Sequence, residues 1–333
     1  PGARKGVDRS RMTPRTTWIL TEGLAGTEGP CLGLARALGV EPVVRRVRIR
    51  QPWRSLPAGL WLSPFSAVEP GGEAIAPPWP DLVISSGSAV APLAAAIRAA
   101  ARGATRVVHV QDPKIDPARF DLVVAPRHDG VEGANVVATR ATLHGLAPAS
   151  LAAAAEEWAP RLAGLGRPLL AFLCGGDAGR RFRLSPARLG EICAGIRLRM
   201  HRDGIGVAAT PSRRTGPANE AVLHAELDPA GAMVWDGTGP NPYRGLLALA
   251  DIVAVTQDSV SMISEAAGTG KPVYWIPVEC RSRRMQRFVD ALTEEGVLRR
   301  WPGGDAPLER WSYAPPDDTT RAAAEIRRRF GWG

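Results

Sequence analysis

Along this chain, short apolar runs end in clusters of glycine, serine, threonine or aspartate, and stretches with helical spacing follow them. The predicted strands are Trp18 to Leu20, Val43 to Ile49, Asp81 to Ile84, Arg106 to Val110, Asp121 to Ala125, Pro168 to Leu173, Ile205 to Ala209, Met233 to Trp235, Ile252 to Thr256 and Pro272 to Pro277. Most of these runs lack alternation, which predicts parallel strands covered on both faces. Helices are predicted over Pro30 to Leu38, Pro92 to Arg102, Pro148 to Leu165, Pro186 to His201, Pro242 to Ala250, Val260 to Gly268 and Thr319 to Phe330. Pro30 suits a first helical turn and Gly39 a helix end, so Thr21 to Gly29 is expected as a glycine-rich turn. From Ile49 to Pro80 the chain is rich in proline and tryptophan and is expected to run over the surface as loops and a short helix.

Strand and helix therefore alternate in two successive series, without a sequence period that would mark a solenoid. The expected organisation is a disordered stretch over residues 1–14 with Met12 as the candidate start, a first domain over 15–160, and a second over 161–315. A final helix in 316–333 then crosses back to the first domain. The fold class is α/β, with two Rossmann-like domains facing a cleft.

Composition adds exclusions. Of 333 residues, 45% are apolar and 23% charged, which excludes a disordered chain. The uncharged stretch Leu82 to Ile97 is broken by serines and Pro92 and is too short for a spanning helix, which needs roughly 20 apolar residues. Charged residues near the beginning are not followed by a signal-peptide apolar run, so a cytoplasmic location is expected. Cys31, Cys174, Cys193 and Cys280 form no Cys-x-x-Cys pair, which argues against a zinc knuckle and for reduced thiols. Net charge is +9, but Lys5, Lys114 and Lys271 are the lysines and the other basic residues are arginines, the mark of a GC-rich genome. The clusters at Arg45 to Arg50, Arg197 to Arg202, Arg281 to Arg287 and Arg327 to Arg329 read either as solvated faces or as surfaces for anionic lipid or phosphate. No nucleic-acid-binding signature accompanies them, so no nucleic-acid partner is expected.

In open parallel sheets, ligands bind beyond the carboxyl ends of the strands. Gly175 and Gly176 follow one strand end, where glycine lets backbone N–H groups approach an anion, although a tight turn needs glycine too. The loop is neither a Walker loop nor a Gly-x-Gly-x-x-Gly fingerprint. Thr210, Ser212, Arg213 and Arg214 follow a second strand end, and Asn241 and Tyr243 open a helix. The richest stretch is Asp258-Ser259-Val260-Ser261-Met262-Ile263-Ser264-Glu265, a strand end running into a helix. Asp258 or Ser259 reads as an N-cap or, with Ser261, as a phosphate ligand, and Glu265 as surface charge or as an acceptor from a ribose diol. Arginines 213 and 214 suit a diphosphate through bidentate contacts. No Asp-x-Asp motif is present, and no metal or cofactor is expected. For a general base, Glu28 is favoured, with Glu22, His109 and Asp112 also near strand ends; His109 reads equally as a core histidine and Asp112 as a turn former.

Gly175-Gly176-Asp177, the Thr210 to Thr215 loop, Asn241-Pro242-Tyr243 and the block from Asp258 to Pro272 together resemble the ELM1 family, which is named after a plant mitochondrial-fission factor. The resemblance covers Trp18 to about Val278. More distantly the layout is similar to GT-B glycosyltransferases, among them the peptidoglycan transferase that adds N-acetylglucosamine to a lipid-linked acceptor. It implies a nucleotide-sugar in the C-terminal half, with Glu265 holding the ribose. The expected activity is a metal-independent transfer from a nucleoside-diphosphate sugar to a cell-envelope acceptor, lipid-linked and met at an anionic membrane surface. The alternatives are a nucleotide-sugar 2-epimerase and a non-catalytic adaptor on the same scaffold.

Overall fold

The computed structural model describes residues 14–70, 75–303 and 306–332; the stretch expected to be disordered, with Met12, lies outside them except for residue 14. The chain divides into two compact units, the first running to Gly145 and resuming at Asp317, the second spanning Leu146–Pro316.

The first unit is a parallel sheet of β1 (Thr17–Thr21), β2 (Pro42–Arg46), β3 (Leu82–Ser86), β4 (Arg106–Val110), β5 (Leu122–Pro126) and β6 (Val136–Thr139), in the order β2-β1-β3-β4-β5-β6. Strands β1, β3 and β5 are buried at every position, because an apolar cluster covers each face of the sheet. Helix α1 (Ala25–Leu38) follows β1, and α2 (Ala91–Ala100) follows β3.

Helix α1 begins earlier than expected and carries Pro30 in its interior. Proline has no N–H for the carbonyl four residues back. That carbonyl, of Gly26, instead accepts from Gln111 Nε2 at 3.0 Å, so the helix absorbs the proline and most of the predicted turn.

The second unit opens with α3 (Pro148–Leu162) and then alternates β7 (Leu169–Cys174), β8 (Phe182–Arg183), α4 (Pro186–Asp203), β9 (Gly206–Pro211), α5 (Gly216–Leu227), β10 (Met233–Val234), α6 (Tyr243–Leu249), β11 (Ile252–Thr256), α7 (Val260–Ala267), β12 (Val273–Ile276), β13 (Glu279–Cys280), α8 (Arg283–Glu294) and β14 (Leu298–Arg300). Strands β8 and β13 form a small antiparallel ribbon, and the main sheet runs β10-β9-β7-β11-β12-β14, all parallel. Counted within the unit this is the order 3-2-1-4-5-6, the Rossmann arrangement. Its strand order reverses between β7 and β11, and the loops leaving those two strands border the crevice where ligands bind.

The domain boundary expected at residue 160 moves to Gly145. The reason is packing: a Cβ on Gly245 in α6 would lie 2.3 Å from Trp158 Cγ in α3, so α3 belongs with the second sheet. The last helix, α9 (Asp318–Phe330), belongs to the first unit. Asp318 Oδ2 accepts from the backbone N–H groups of Arg140 and Ala141 at 3.0 and 2.8 Å, and Ala322, Ala323, Ile326 and Phe330 join the apolar cluster around α1.

Two arginine clusters are paired within the protein, although apart from Arg199 their side chains stay wholly or partly exposed. Arg199 is buried and donates to the carbonyls of Gly195, Pro302 and Ala306, while Arg197 pairs with Glu226 and Arg202 with Asp203. Arg328 and Arg329 both pair with Glu325. The four cysteines are free thiols. Among the described residues no helix is long and apolar enough to cross a membrane.

Candidate functional site

At the crevice of the second sheet, residues about eighty apart in sequence meet. Gly175 N–H donates to Thr256 Oγ1 at 2.7 Å and Gly176 N–H to Asp258 Oδ2 at 3.0 Å. A Cβ on Gly175 would stand 2.1 Å from Asp258 Oδ1, and one on Gly176 would stand 1.9 Å from the Arg214 carbonyl oxygen. Both glycines are therefore required by loops packed against each other. This corrects the expectation that their N–H groups stand open to a phosphate: the loop ending β11 already takes them.

Asp258 is the centre of this knot. Arg214 Nη2 lies 2.7 Å from its Oδ2, and its carboxyl is buried, which pushes its pKa above the usual carboxylate range despite the hydrogen bonds and the arginine. Ser259 is the N-cap of α7, its hydroxyl accepting from Met262 N–H at 3.3 Å, so the capping alternative holds for Ser259 and not for Asp258. Ser261 lies in the first turn of the same helix, where backbone N–H groups lack intrahelical acceptors.

Beside the knot lies a cavity of about 530 Å³. Thr210, Ser212, Arg213, Asn241, Tyr243 and Met262 line it, together with Pro211, Glu220, Trp235 and Gly237. Six expected site residues thus share one cavity, while Gly175, Gly176, Arg214, Asp258, Ser259, Ser261 and Glu265 are not among its lining residues. Glu265 reaches the wall through Tyr243, whose hydroxyl donates to Glu265 Oε2. Burial raises the pKa of the Glu265 carboxyl, with the Tyr243 hydrogen bond pulling it back; burial and the neighbouring carboxylate push the Tyr243 phenol far up. Asn241 Oδ1 accepts from Tyr243 N–H at 2.8 Å, setting the turn into α6. Arg213 is exposed where it lines the cavity. Trp235, predicted as the end of a strand and not as a site residue, lies just beyond β10, where strand ends meet ligands; its indole N–H donates to the Thr238 carbonyl at 2.8 Å, which fixes the ring.

The expected catalytic residues all belong to the first unit, and all are engaged. Glu28, in the first turn of α1, accepts from Arg46 Nε and Nη2 at 2.8 and 2.7 Å and from Thr21 Oγ1 at 3.3 Å. The Arg46 hydrogen bonds hold its pKa down, which makes it a weaker base. His109 is fully buried, with Nδ1 2.8 Å from Ser85 Oγ, and burial depresses its pKa to about 3; it is a core histidine and not a base open to an acceptor. Asp112 Oδ1 accepts from Lys114 N–H at 2.8 Å, the turn-forming role, and the Lys114 ammonium pairs with its other oxygen. Among the described residues no group of three or more His, Cys, Asp or Glu side chains is placed to hold a metal ion.

Two α/β units with parallel six-stranded sheets, the second in Rossmann order with a cavity beside its crevice, define the GT-B class of fold. Within that class the chain belongs to the mitochondrial fission ELM1 family, whose model matches residues 25–330. It is 33% identical over 289 residues to the mitochondrial fission protein ELM1 of Arabidopsis thaliana, an alignment covering 76% of this chain and 65% of the plant protein. Among solved structures it is similar to the UDP-GlcNAc 2-epimerase of Methanocaldococcus jannaschii, with a TM-score of 0.51 and 13% identity over 93% of this chain and 92% of that one. It is similar also to the glycotransferase of kitacinnamycin, with a TM-score of 0.51 and 12% identity over 96% of each chain. At such identities these two likenesses speak for the fold.

Proposed function

We propose that this protein binds a nucleoside-diphosphate sugar in its second unit and transfers the sugar to a cell-envelope acceptor at the cytoplasmic face of a membrane. The observation that carries the reading is the 530 Å³ cavity, which has the size of a nucleotide pocket. Its wall combines a fixed indole, the Tyr243 phenol backed by Glu265 and the exposed Arg213 guanidinium. The base stacks on Trp235, Glu265 takes the ribose hydroxyls in place of the Tyr243 phenol, and Arg213 with the α7 N-terminus meets the diphosphate. In the transfer the acceptor oxygen bonds to the anomeric carbon, the bond from that carbon to the diphosphate breaks, and the acceptor proton passes to a base. Glu28 and Asp112 remain the acceptor-side candidates.

The test is calorimetric titration of the protein with UDP, GDP, CMP and ADP, with and without attached sugars. Binding of one diphosphate, weakened tenfold or more (about 1.4 kcal/mol) in Glu265→Ala, is the expected result. A second reading, a non-catalytic adaptor, is favoured by the Gly175 and Gly176 N–H groups being consumed within the protein. Absence of binding at millimolar nucleotide would make it the better account. Conversion of a bound UDP-sugar without any acceptor would instead identify an epimerase.

A further inference from the structure

Four large apolar side chains stand exposed along one short segment of the first unit: Leu56 at 38%, Leu60 at 60%, Leu62 at 95% and Phe65 at 38%. Single exposed leucines are ordinary, whereas a cluster marks an interaction surface. The segment 55–68 that bears them contains no charged residue, and the wider stretch 42–68 has five arginines and no acid.

The exposure is built and not a frayed loop. Short 3-10 turns at Trp53–Ser55, Ala58–Leu60 and Pro64–Ala67 shape the segment. Its two ends are fastened by Arg50 N–H to the Ala67 carbonyl and Glu69 N–H to the Arg48 carbonyl, both at 2.9 Å. Buried Trp61, packed against Trp53 at 5.8 Å between ring centroids, anchors the middle in the core and leaves its neighbours Leu60 and Leu62 outward. Glu28 and Glu22 take up Arg46 and Arg54. Arg48 and Arg50, both exposed, carry positive charge at the root of the segment, with Arg50 Nε held by the Ser66 carbonyl at 2.6 Å.

We propose that this segment docks on an anionic lipid bilayer. Leu56, Leu60, Leu62 and Phe65 enter the boundary between headgroups and acyl chains, while Arg48 and Arg50 meet lipid phosphates. Charge complementarity selects the occupant: an uncharged apolar tip over the exposed Arg48 and Arg50 matches a negatively charged interface, with the exposed Glu69 beside Arg48 as the opposing charge at the root. The inference deepens the proposed function by naming where a lipid-linked acceptor is met; it rests on that reading for its purpose and on the first unit for its geometry.

The experiment is co-sedimentation of the full chain, without nucleotide, with vesicles of phosphatidylcholine alone or of phosphatidylcholine containing phosphatidylglycerol. The protein is expected on the anionic vesicles, less so as salt rises, and the partition coefficient should fall about tenfold or more in Leu60→Asp/Leu62→Asp. Thermal unfolding at the wild-type temperature shows that the variant is folded, as replacement of exposed side chains predicts. Arg48→Glu should weaken binding to anionic vesicles selectively. No vesicle binding by the wild-type chain, or equal binding by the double variant, overturns the proposal. So does self-association abolished by Leu62→Asp without lipid binding, which would make the surface a protein interface. Nucleotide titration is run without lipid, so each reading fails independently of the other.

Discussion

Replacing His109 by asparagine separates a core histidine from a catalytic one. Burial holds the folded imidazole neutral, with a pKa of about 3 against an ordinary 6.5. Below pH 6.5 the unfolded chain takes up a proton that the folded chain refuses, so this group's stabilisation is complete above 6.5 and declines as the pH falls toward 3. At pH 5 the loss is about 2 kcal/mol, since each pH step below the unfolded pKa costs roughly 1.4 kcal/mol. Asparagine keeps a polar atom near Ser85 Oγ and has no proton to gain, although it leaves space beside Phe120, whose ring lies 5.0 Å away. Urea denaturation of both proteins at pH 7.5 and pH 5 gives the comparison: the stability difference between wild type and His109→Asn should shrink by about 2 kcal/mol on acidification. Absolute destabilisation by the cavity cancels from that comparison. Equal pH slopes in the two proteins would refute the burial argument, and a folded variant that binds nucleotide but transfers no sugar would restore His109 as a base.

Gly176→Ala places a methyl 1.9 Å from the Arg214 carbonyl and should cost about 3 kcal/mol in urea denaturation, whereas Gly190→Ala in α4, with nothing within 4 Å, should stabilise by about 1 kcal/mol; equal effects would contradict the loop packing. Trp235→Ala should weaken UDP binding about tenfold, the loss of one stacking platform, as calorimetry will show. Glu28→Gln removes a carboxylate held low by Arg46. Its stabilisation is present above the unfolded pKa and lost as pH falls through the lower folded value, so the variant should be weaker by up to about 1 kcal/mol at pH 7 and indistinguishable in acid.

The alternation of buried runs and helical stretches carried the α/β class in the sequence itself, because strands covered on both faces must be continuously apolar. The loops at the ends of β7, β9 and β11 were legible for the same reason: glycine, hydroxyl and charged residues interrupt apolar runs where the chain leaves the sheet. Edge strands were legible only in part, β2 and β10 being predicted and β6 and β14 not. Strands β6 and β14 are only partly buried and lack a continuous run, and α8 hid within an arginine cluster whose apolar face, Met285, Phe288, Val289 and Leu292, shows only against its sheet. Which loops meet was likewise beyond the sequence. Strand order joins β7 to β11 and brings Gly176 to Asp258 across 82 residues, so the N–H groups that composition offered to a ligand are consumed internally. Burial decided the chemistry as well, since His109, Glu28 and Glu265 carry ordinary pKa values in an extended chain, and only desolvation and the partners delivered by folding set them apart.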